Sequence, residues 1–401
     1  MLKVVSTKQV RLGMFIHELK GAWIDHPFWK KAFKLDDAAD LKKLQASSIK
    51  EVVIDTDKGL DVAPEAVAEP LPDTLSAQQV SVKAEPQVKR IAAGEERARA
   101  KQVIAASKKA VASMFNDVRM GNVIKVEAAM QFVDDIAASI ARNEGALISL
   151  VRLKTKDDYT YMHSVAVCAL MVALAKELGM SNEERMQAGL AGLLHDIGKA
   201  AVPNDVLNKP GALTDDEFSL VKLHPERGHE LLMQANITDA IALDVCLHHH
   251  EKVNGTGYPH GLQGDAISLF ARMGAVCDVY DAVTSNRPYK DGWEPGVSLQ
   301  RMAQWAGHFD DAVFKAFVKS VGIYPIGSMV KLKSGRLAVV IDQSPKSLLT
   351  PVVKVFFSTK SKTRLPVEVI DLSKGGANDA IVGHEDPVLW GVLDVDKLWA
   401  E

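Results

Sequence analysis

A chain of 401 residues with 47% hydrophobic and 25% charged content has the composition of an ordinary globular protein and enough apolar material for two or three cored domains. With 48 Lys and Arg against 51 Asp and Glu, the formal charge is -3. That supplies neither the basic excess of a nucleic-acid binder nor the acidic excess of a disordered chain. Cys168, Cys246 and Cys277 are odd in number, widely spaced and set in apolar helical contexts, which predicts reduced core thiols in a cytosolic protein and excludes a disulfide framework.

The opening stretch MLKVVSTKQVRLGMFIHELKGAW mixes charges into its apolar residues, and no segment reaches the uninterrupted apolar length of a membrane span. A cytoplasmic location without membrane insertion is therefore expected. Residues 1–62 contain short apolar runs, MFI and EVVID, separated by turn signals, and predict a small α+β or β-rich accessory module. The following stretch VAPEAVAEPLPDTLSAQQVSVKAEPQ is rich in Ala, Pro and Glu, and residues 63–93 are read as a linker.

Residues 94–153 hold no proline, and Val126, Met130, Val133, Ala137 and Ile140 recur at helical spacing, so connecting helices with one buried stripe are expected. Residues 154–323 continue as an all-helical core. Tyr161 to Leu178 reads as a helix closed by Gly179, and the capping box at Ser181 to Glu184 starts a helix running to His195. A second capping box, Thr214 to Glu217, opens a helix that is expected to end at His224, before Pro225. Apolar helical segments follow at Thr238 to His249 and Ser268 to Ser285. From Tyr324 the pattern GSMVKLKSGRLAVVIDQ and PVVKVFFSTKSKTRLPVEVIDL predicts a β extension over 324–401. The expected architecture is thus multi-domain: an all-α bundle core between a small N-terminal module and a small C-terminal β extension.

His163, His195, Asp196, His224, His249, His250 and Asp278 fall in step with five successive helices. Facing helices of a bundle converge on one interior point, so these side chains can form a shared nitrogen and oxygen donor set. That chemistry suits Fe, Mn, Zn or Ni, and the lack of cysteine donors argues against a structural zinc. Any one histidine at a helix end is more often a solvated cap, but seven donors in register with the helices weaken that explanation. In His195-Asp196 the carboxylate has two oxygens and can bridge two ions, which is the two-metal logic of phosphoester hydrolysis.

LLHDIGK (Leu193 to Lys199), LHPERG (Leu223 to Gly228), HHEKVNGTGYP (His249 to Pro259) and CDVYDAVTSNRPYK (Cys277 to Lys290) resemble, in family order, the HD-GYP family of cyclic dinucleotide phosphodiesterases. The resemblance covers about Thr155 to Val321. It implies that the seven donors named above are metal ligands, with Asp196 bridging, and that the substrate is cyclic di-GMP. It also implies phosphate contacts from Lys199, Arg287 and Lys290, and a substrate-facing loop from Gly255 to Pro259 carrying Tyr258. Fixed cations there would meet the negative charge a phosphodiester gathers in its transition state. A helix-end cation for Lys199 and a solvated loop for Arg287 and Lys290 are the plainer explanations, against which the motif spacing decides.

Some family members hold a third metal through a glutamate four residues before the first histidine. Here that position is Tyr159, so two divalent ions (Fe, Mn, or Ni and Zn) and release of linear pGpG rather than GMP are expected, unless Asp157 or Asp158 substitutes. His248 is left over from the histidine pair. A third consecutive helical residue points about 200° from the first, so His248 is read as a bystander, and Glu251 as a carboxylate that orients a ligand imidazole.

QVRLGMFI near the start resembles an uncharacterised domain often found ahead of HD-GYP domains, and the C-terminal segment resembles the β extension common after them. Lys331, Lys333, Lys354, Lys360 and Lys362 lack an aromatic stacking platform and read as a solvated face, so no nucleic-acid polymer is expected as a partner. Expected partners beyond cyclic di-GMP are a second copy of the chain and a signalling protein meeting the N-terminal module or the Gly-Tyr-Pro loop. The competing functions are the same chemistry on cyclic GMP-AMP or a nucleotide monophosphoester, and a non-catalytic cyclic di-GMP receptor. The complete donor set speaks against the last.

Overall fold

The computed structural model describes residues 2–20, 32–46, 49–61, 89–122, 126–154, 159–207, 209, 211–285, 292–374, 379–392 and 394–400. It divides into two units, Met1–Val88 and Lys89–Glu401. In the first, strands β1 (Leu2–Ser6), β2 (Phe15–Lys20), β3 (Phe33–Lys34) and β4 (Glu51–Asp55) accompany helix α1 (Ala38–Ala46). The sheet is antiparallel in the order β1-β4-β2-β3, with Val4 opposite Val53. EVVID lies between β1 and β2, and Val52 to Asp55 are buried in succession, the pattern of a strand covered on both faces rather than one. Val5, Met14, Ile16, Leu35, Leu44, Val52 and Ile54 form the core.

The second unit starts with two long helices, α2 (Ala93–Arg119) and α3 (Val126–Val151). They pack on each other, and Val133, Ile136 and Ile140 are fully buried. Helix α4 (Tyr159–Glu177) is apolar on every side, with Val165 through Ala175 all buried. A helix of that kind belongs in the middle of a bundle, and α4 packs against α2 and α3 and against α5 (Asn182–Leu194), α10 (Leu269–Thr284) and α12 (Asp311–Val321). Between these lie α6 (Asn204–Leu207), α7 (Asp215–Val221), α8 (His224–Gln234), α9 (Ala240–His248) and α11 (Pro295–Met302).

Both capping boxes form: Ser181 Oγ accepts from Glu184 N at 3.2 Å while Glu184 Oε2 accepts from Ser181 N at 2.8 Å, and Thr214 and Glu217 repeat the pattern. One boundary differs from the sequence expectation. His224 does not end α7 but opens α8, with Pro225 in its first turn. Proline there loses no hydrogen bond, because first-turn amides have no partner in the helix.

The C-terminal strands β5 (Met329–Leu332), β6 (Arg336–Asp342), β7 (Val352–Ser358), β8 (Thr363–Asp371) and β9 (Ile381–His384) make an antiparallel sheet in the order β8-β7-β6-β5-β9, followed by α13 (Val395–Trp399). It is fastened to the helices: Arg97 of α2 donates to Ile341 O at 2.9 Å, and Trp399 is fully buried beside Arg97 and Arg152. Cys168, Cys246 and Cys277 are buried free thiols. Among the described residues no helix is long and apolar enough to cross a membrane.

Candidate metal centre

The seven expected donors come from five places in the second unit: His163 from α4, His195 and Asp196 from the end of α5 and the 3-10 turn Ile197–Ala201, His224 from the start of α8, His249 and His250 from the end of α9, and Asp278 from α10. Six are buried and His250 is partly exposed. The close approach is built into the sequence through two glycines. A Cβ on Gly198 would overlap the His224 carbonyl and come within 2.5 Å of Gly228 N, so only a bare backbone lets the 3-10 turn lie against α8.

Hydrogen bonds assign the imidazole tautomers. His195 Nδ1 donates to Gly192 O at 2.7 Å, His224 Nδ1 to Val221 O at 2.7 Å, and His249 Nδ1 to Val245 O and Cys246 O at 3.0 Å each. Each Nε2 is left as an unprotonated acceptor. Those lone pairs face other acceptors. His224 Nε2 lies 3.3 Å from His249 Nε2 and 3.1 Å from Asp196 Oδ1, while His195 Nε2 lies 3.3 Å from Asp196 Oδ2. Among the described residues, His195 Nε2 and Asp196 Oδ1 are buried with no hydrogen-bond partner. Acceptors packed against acceptors in a buried site are repulsive unless a cation sits among them, so the donor set fits a divalent metal.

The two Asp196 oxygens divide the set. Oδ1 faces His224 at 3.1 Å and His249 at 3.8 Å, whereas Oδ2 faces His163 and His195, both at 3.3 Å. Asp278 Oδ1 lies 2.9 Å from His163 Nε2, and its Oδ2 lies 3.7 Å from His250 Nδ1. Three overlapping groups can each hold an ion: His224, His249 and His250; His163, His195 and Asp278; and His195, Asp196 and His249.

Electrostatics follow from this crowding. Burial alone would raise the Asp196 carboxyl, but Lys199, His195 and His163 outweigh it and hold it well below the usual carboxylate range. Burial, then the neighbouring imidazoles His250, His195 and His224, hold His249 well below its ordinary value, in the neutral form a metal needs. Burial would lower His163 too, yet Asp196, Asp278 and Asp281 lift it to about 10. A proton on its Nε2 would stand where a metal cation belongs.

Lys199 Nζ donates to Asp196 Oδ2 at 2.5 Å and is partly exposed. Tyr258 stacks on His250, with ring centroids 4.6 Å apart and planes 25° apart, and Lys222 Nζ lies 4.9 Å from the tyrosine centroid. Burial and the charges of Asp278 and Asp196 push the Tyr258 phenol up, so it stays a donor. Within the loop, Gly255 has φ +78°, and a Cβ on Gly257 would come within 2.5 Å of Glu251 Cα. Arg287 and Lys290 lie outside the described residues, as do Asp157 and Asp158, and the Tyr159 side chain is not described.

One expectation needs correction. Glu251 is buried, but among the described residues it orients no imidazole: Oε1 accepts from His260 N at 2.8 Å and Oε2 from Leu262 N at 3.0 Å, tying down the far end of the Gly-Tyr-Pro loop. His248 stands apart from the metal cluster, as expected of the residue left over from the pair, and has partners of its own. Its Nδ1 bonds Asp244 Oδ1 at 2.7 Å and its Nε2 meets His260 Nδ1 at 3.0 Å, a second link from α9 to the same loop. The carboxylate that does meet one of the candidate donor imidazoles is Asp281, whose Oδ2 lies 2.6 Å from His163 Nδ1. Its position three residues after Asp278, on the same face of α10, was the available signal.

Residues 138–313 match the model of the HD domain family, and residues 2–129 match a domain of unknown function, DUF3391. Over 400 residues the chain is 54% identical to a Pseudomonas aeruginosa protein named as a cyclic di-GMP phosphodiesterase, an alignment covering 100% of this chain and 96% of that protein. The chain belongs to the HD-GYP family. Other relatives match over shorter stretches. The Xanthomonas campestris response regulator RpfG, also named as a cyclic di-GMP phosphodiesterase, is 45% identical over 34% of this chain and 37% of its own length. A Vibrio cholerae protein named as a 3'3'-cGAMP-specific phosphodiesterase is 36% identical over 41% of this chain and 38% of its own. An HD-GYP core implies dependence on divalent metal, and the buried His and Asp cluster is where such an ion fits.

Proposed function

We propose that the protein is a metal-dependent phosphodiesterase that opens cyclic di-GMP to linear pGpG at a centre of two divalent transition-metal ions. The observation that carries this reading is the division of Asp196, whose Oδ1 faces His224 and His249 while Oδ2 faces His163 and His195. Asp278 and His250 complete the donors. The mixed nitrogen and oxygen set suits iron or manganese, with nickel and zinc as alternatives. The full-length relative at 54% identity carries the cyclic di-GMP name, whereas the relative named for cyclic GMP-AMP matches less than half of the chain.

Bound ions of this kind lower the pKa of water and neutralise phosphoryl charge. The residues around them divide the remaining work. Lys199, partly exposed beside Asp196, adds a fixed cation for the equatorial oxygens of the reacting phosphate. Tyr258, kept protonated and stacked on His250, donates a hydrogen bond toward substrate, and Arg287 and Lys290 supply the phosphate contacts of the family motif. One P–O3' bond breaks, the oxygen of water joins phosphorus, and a proton goes to the leaving 3'-oxygen. Residues 154–323 carry this chemistry, in the cytoplasm, with 1–62 as an accessory regulatory module.

The test is incubation of Mn- or Fe-loaded protein with cyclic di-GMP beside an Asp196→Ala variant, with metal counted in both samples. Linear pGpG from the wild type alone, and two ions per chain, are expected. Binding of cyclic di-GMP without turnover under either metal would turn the reading to a receptor. Three ions per chain would refute the two-metal centre.

A further inference from the structure

Lys154, just past the end of α3, places an ammonium group in the protein interior. Its side chain is 0% exposed and pairs with Asp281, itself 3% exposed, 127 residues further along the chain. Lys154 Nζ also donates to Ser285 Oγ at 3.0 Å, and Ser285 Oγ donates in turn to Asp281 Oδ1 at 3.4 Å. The same Asp281 Oδ2 that pairs with Lys154 accepts from His163 Nδ1 at 2.6 Å. The opposite ring nitrogen, His163 Nε2, faces Asp278 Oδ1 at 2.9 Å and Asp196 Oδ2 at 3.3 Å. A chain of contacts therefore runs from the lysine, through one carboxylate, to the back of an imidazole whose front looks into the donor cluster.

Desolvating an ammonium costs several kcal/mol even after relaxation, so a lysine in this place needs a compensating role. Two consequences of the pairing supply one. Lys154 and Ser285 hold the Asp281 carboxylate in one orientation, and that orientation fixes both the rotation of the His163 ring and the nitrogen carrying its proton. The lysine also cancels the charge of Asp281, so the orienting carboxylate adds no net negative charge to a cluster that already contains Asp196 and Asp278. A neutral amide at 281 could accept the same hydrogen bond but could not be locked by an ammonium in the same way.

We propose that Lys154 is a positioning residue of the metal centre: acting through Asp281, it sets the orientation and tautomer of His163 and so the affinity of the ion held by His163, His195 and Asp278. The inference rests on the reading of His163 as a metal ligand. Partners of this kind typically change metal affinity 10- to 100-fold when removed.

The test is a double-mutant cycle on metal affinity, using Lys154→Met, Asp281→Asn and the double variant. Manganese binding is measured by competition with a chromophoric chelator, and thermal unfolding of the metal-free proteins is followed in parallel. One ion per chain should weaken about 10- to 100-fold in each single variant, and the double variant should be no worse than Asp281→Asn alone. Lys154→Arg, which keeps a cation, should recover most of the affinity. If Lys154→Met fails to fold, Lys154→Arg and the double variant, which buries no unpaired charge, still give the comparison with and without the carboxylate. Unchanged affinity in a folded Lys154→Met protein of altered stability overturns the inference, as does a Lys154 effect that is undiminished in the Asp281→Asn background; where Lys154→Met does not fold, equal affinity in Lys154→Arg and the double variant overturns it. A wild type that binds no manganese overturns the metal reading itself, and this inference with it, whereas tight binding by wild type and variants alike overturns this inference alone.

Discussion

His224 and His249 point their Nε2 atoms at each other across 3.3 Å, while the Nδ1 of each is already bonded to a backbone carbonyl. Neither can give the other a proton. The arrangement is repulsive without a cation, and the first prediction follows from it. Removing metal with a chelator should lower the thermal unfolding temperature by several degrees, and adding Mn²⁺ should restore it. A ligand present at a thousand times its dissociation constant adds about 4 kcal/mol. Calorimetry on stripped and reloaded protein checks this, and an Asp196→Ala variant should show a much smaller response.

Gly198→Ala tests the approach of the 3-10 turn to α8. The added methyl would meet the backbone of His224 and Gly228, which cannot rotate away. A stability loss of about 1–3 kcal/mol is expected from the overpacking, together with weaker metal binding, because His224 must move relative to Asp196. Urea unfolding and metal content, measured on the same preparation, separate the two effects.

Glu251 should act on substrate rather than on metal. Its carboxylate accepts two loop amides, from His260 and Leu262, and hydrogen bonds to a charged group contribute about 1.5–3 kcal/mol each. Glu251→Ala should release the Tyr258 loop, raising KM about tenfold or more and speeding proteolysis within 252–263, with metal content unchanged. An equal loss of metal would show that Glu251 supports the ligands after all.

Glu96 offers a stability test remote from the donor cluster. It is fully buried on α2, accepts from Arg142 at 2.8 Å on each oxygen, and accepts from Ser139 at 2.9 Å. Burial would raise its carboxyl, but the Arg142 and Ser139 bonds outweigh burial and hold it below the ordinary glutamate value. A carboxyl depressed by folding stabilises the protein above its unfolded value, about 4.3, and loses that contribution as pH falls through the folded value below it. Glu96→Gln should therefore cost about 3 kcal/mol at pH 7, the loss typical of a broken buried pair. The difference from wild type should shrink toward pH 3, which denaturant unfolding across that range measures.

Local chemistry made much of the protein legible in advance. The capping boxes at Ser181 and Thr214, the helix over Tyr161 to Leu178 and the β-branched runs of the C-terminal strands depend on neighbours a few residues apart, and each forms as read. The seven candidate donors were legible for a similar reason, since motif and helix period place one or two of them at each helix. His224 was misplaced by one element, because a proline closing α7 and a proline opening α8 look alike until the turn at Leu223 is seen.

Residue types and their spacing alone determined which side chains can bind a cation, because donor chemistry belongs to the residue. Only the tertiary structure decided how they are shared out: which Asp196 oxygen faces which imidazoles, that Glu251 holds a loop instead of a ring, and that Lys154 lies behind His163. Those assignments join groups up to 127 residues apart, and they are settled by the packing of α3, α4, α9 and α10. In that packing a buried charge or lone pair must find its partner wherever the fold brings one, and no sequence period records the distance.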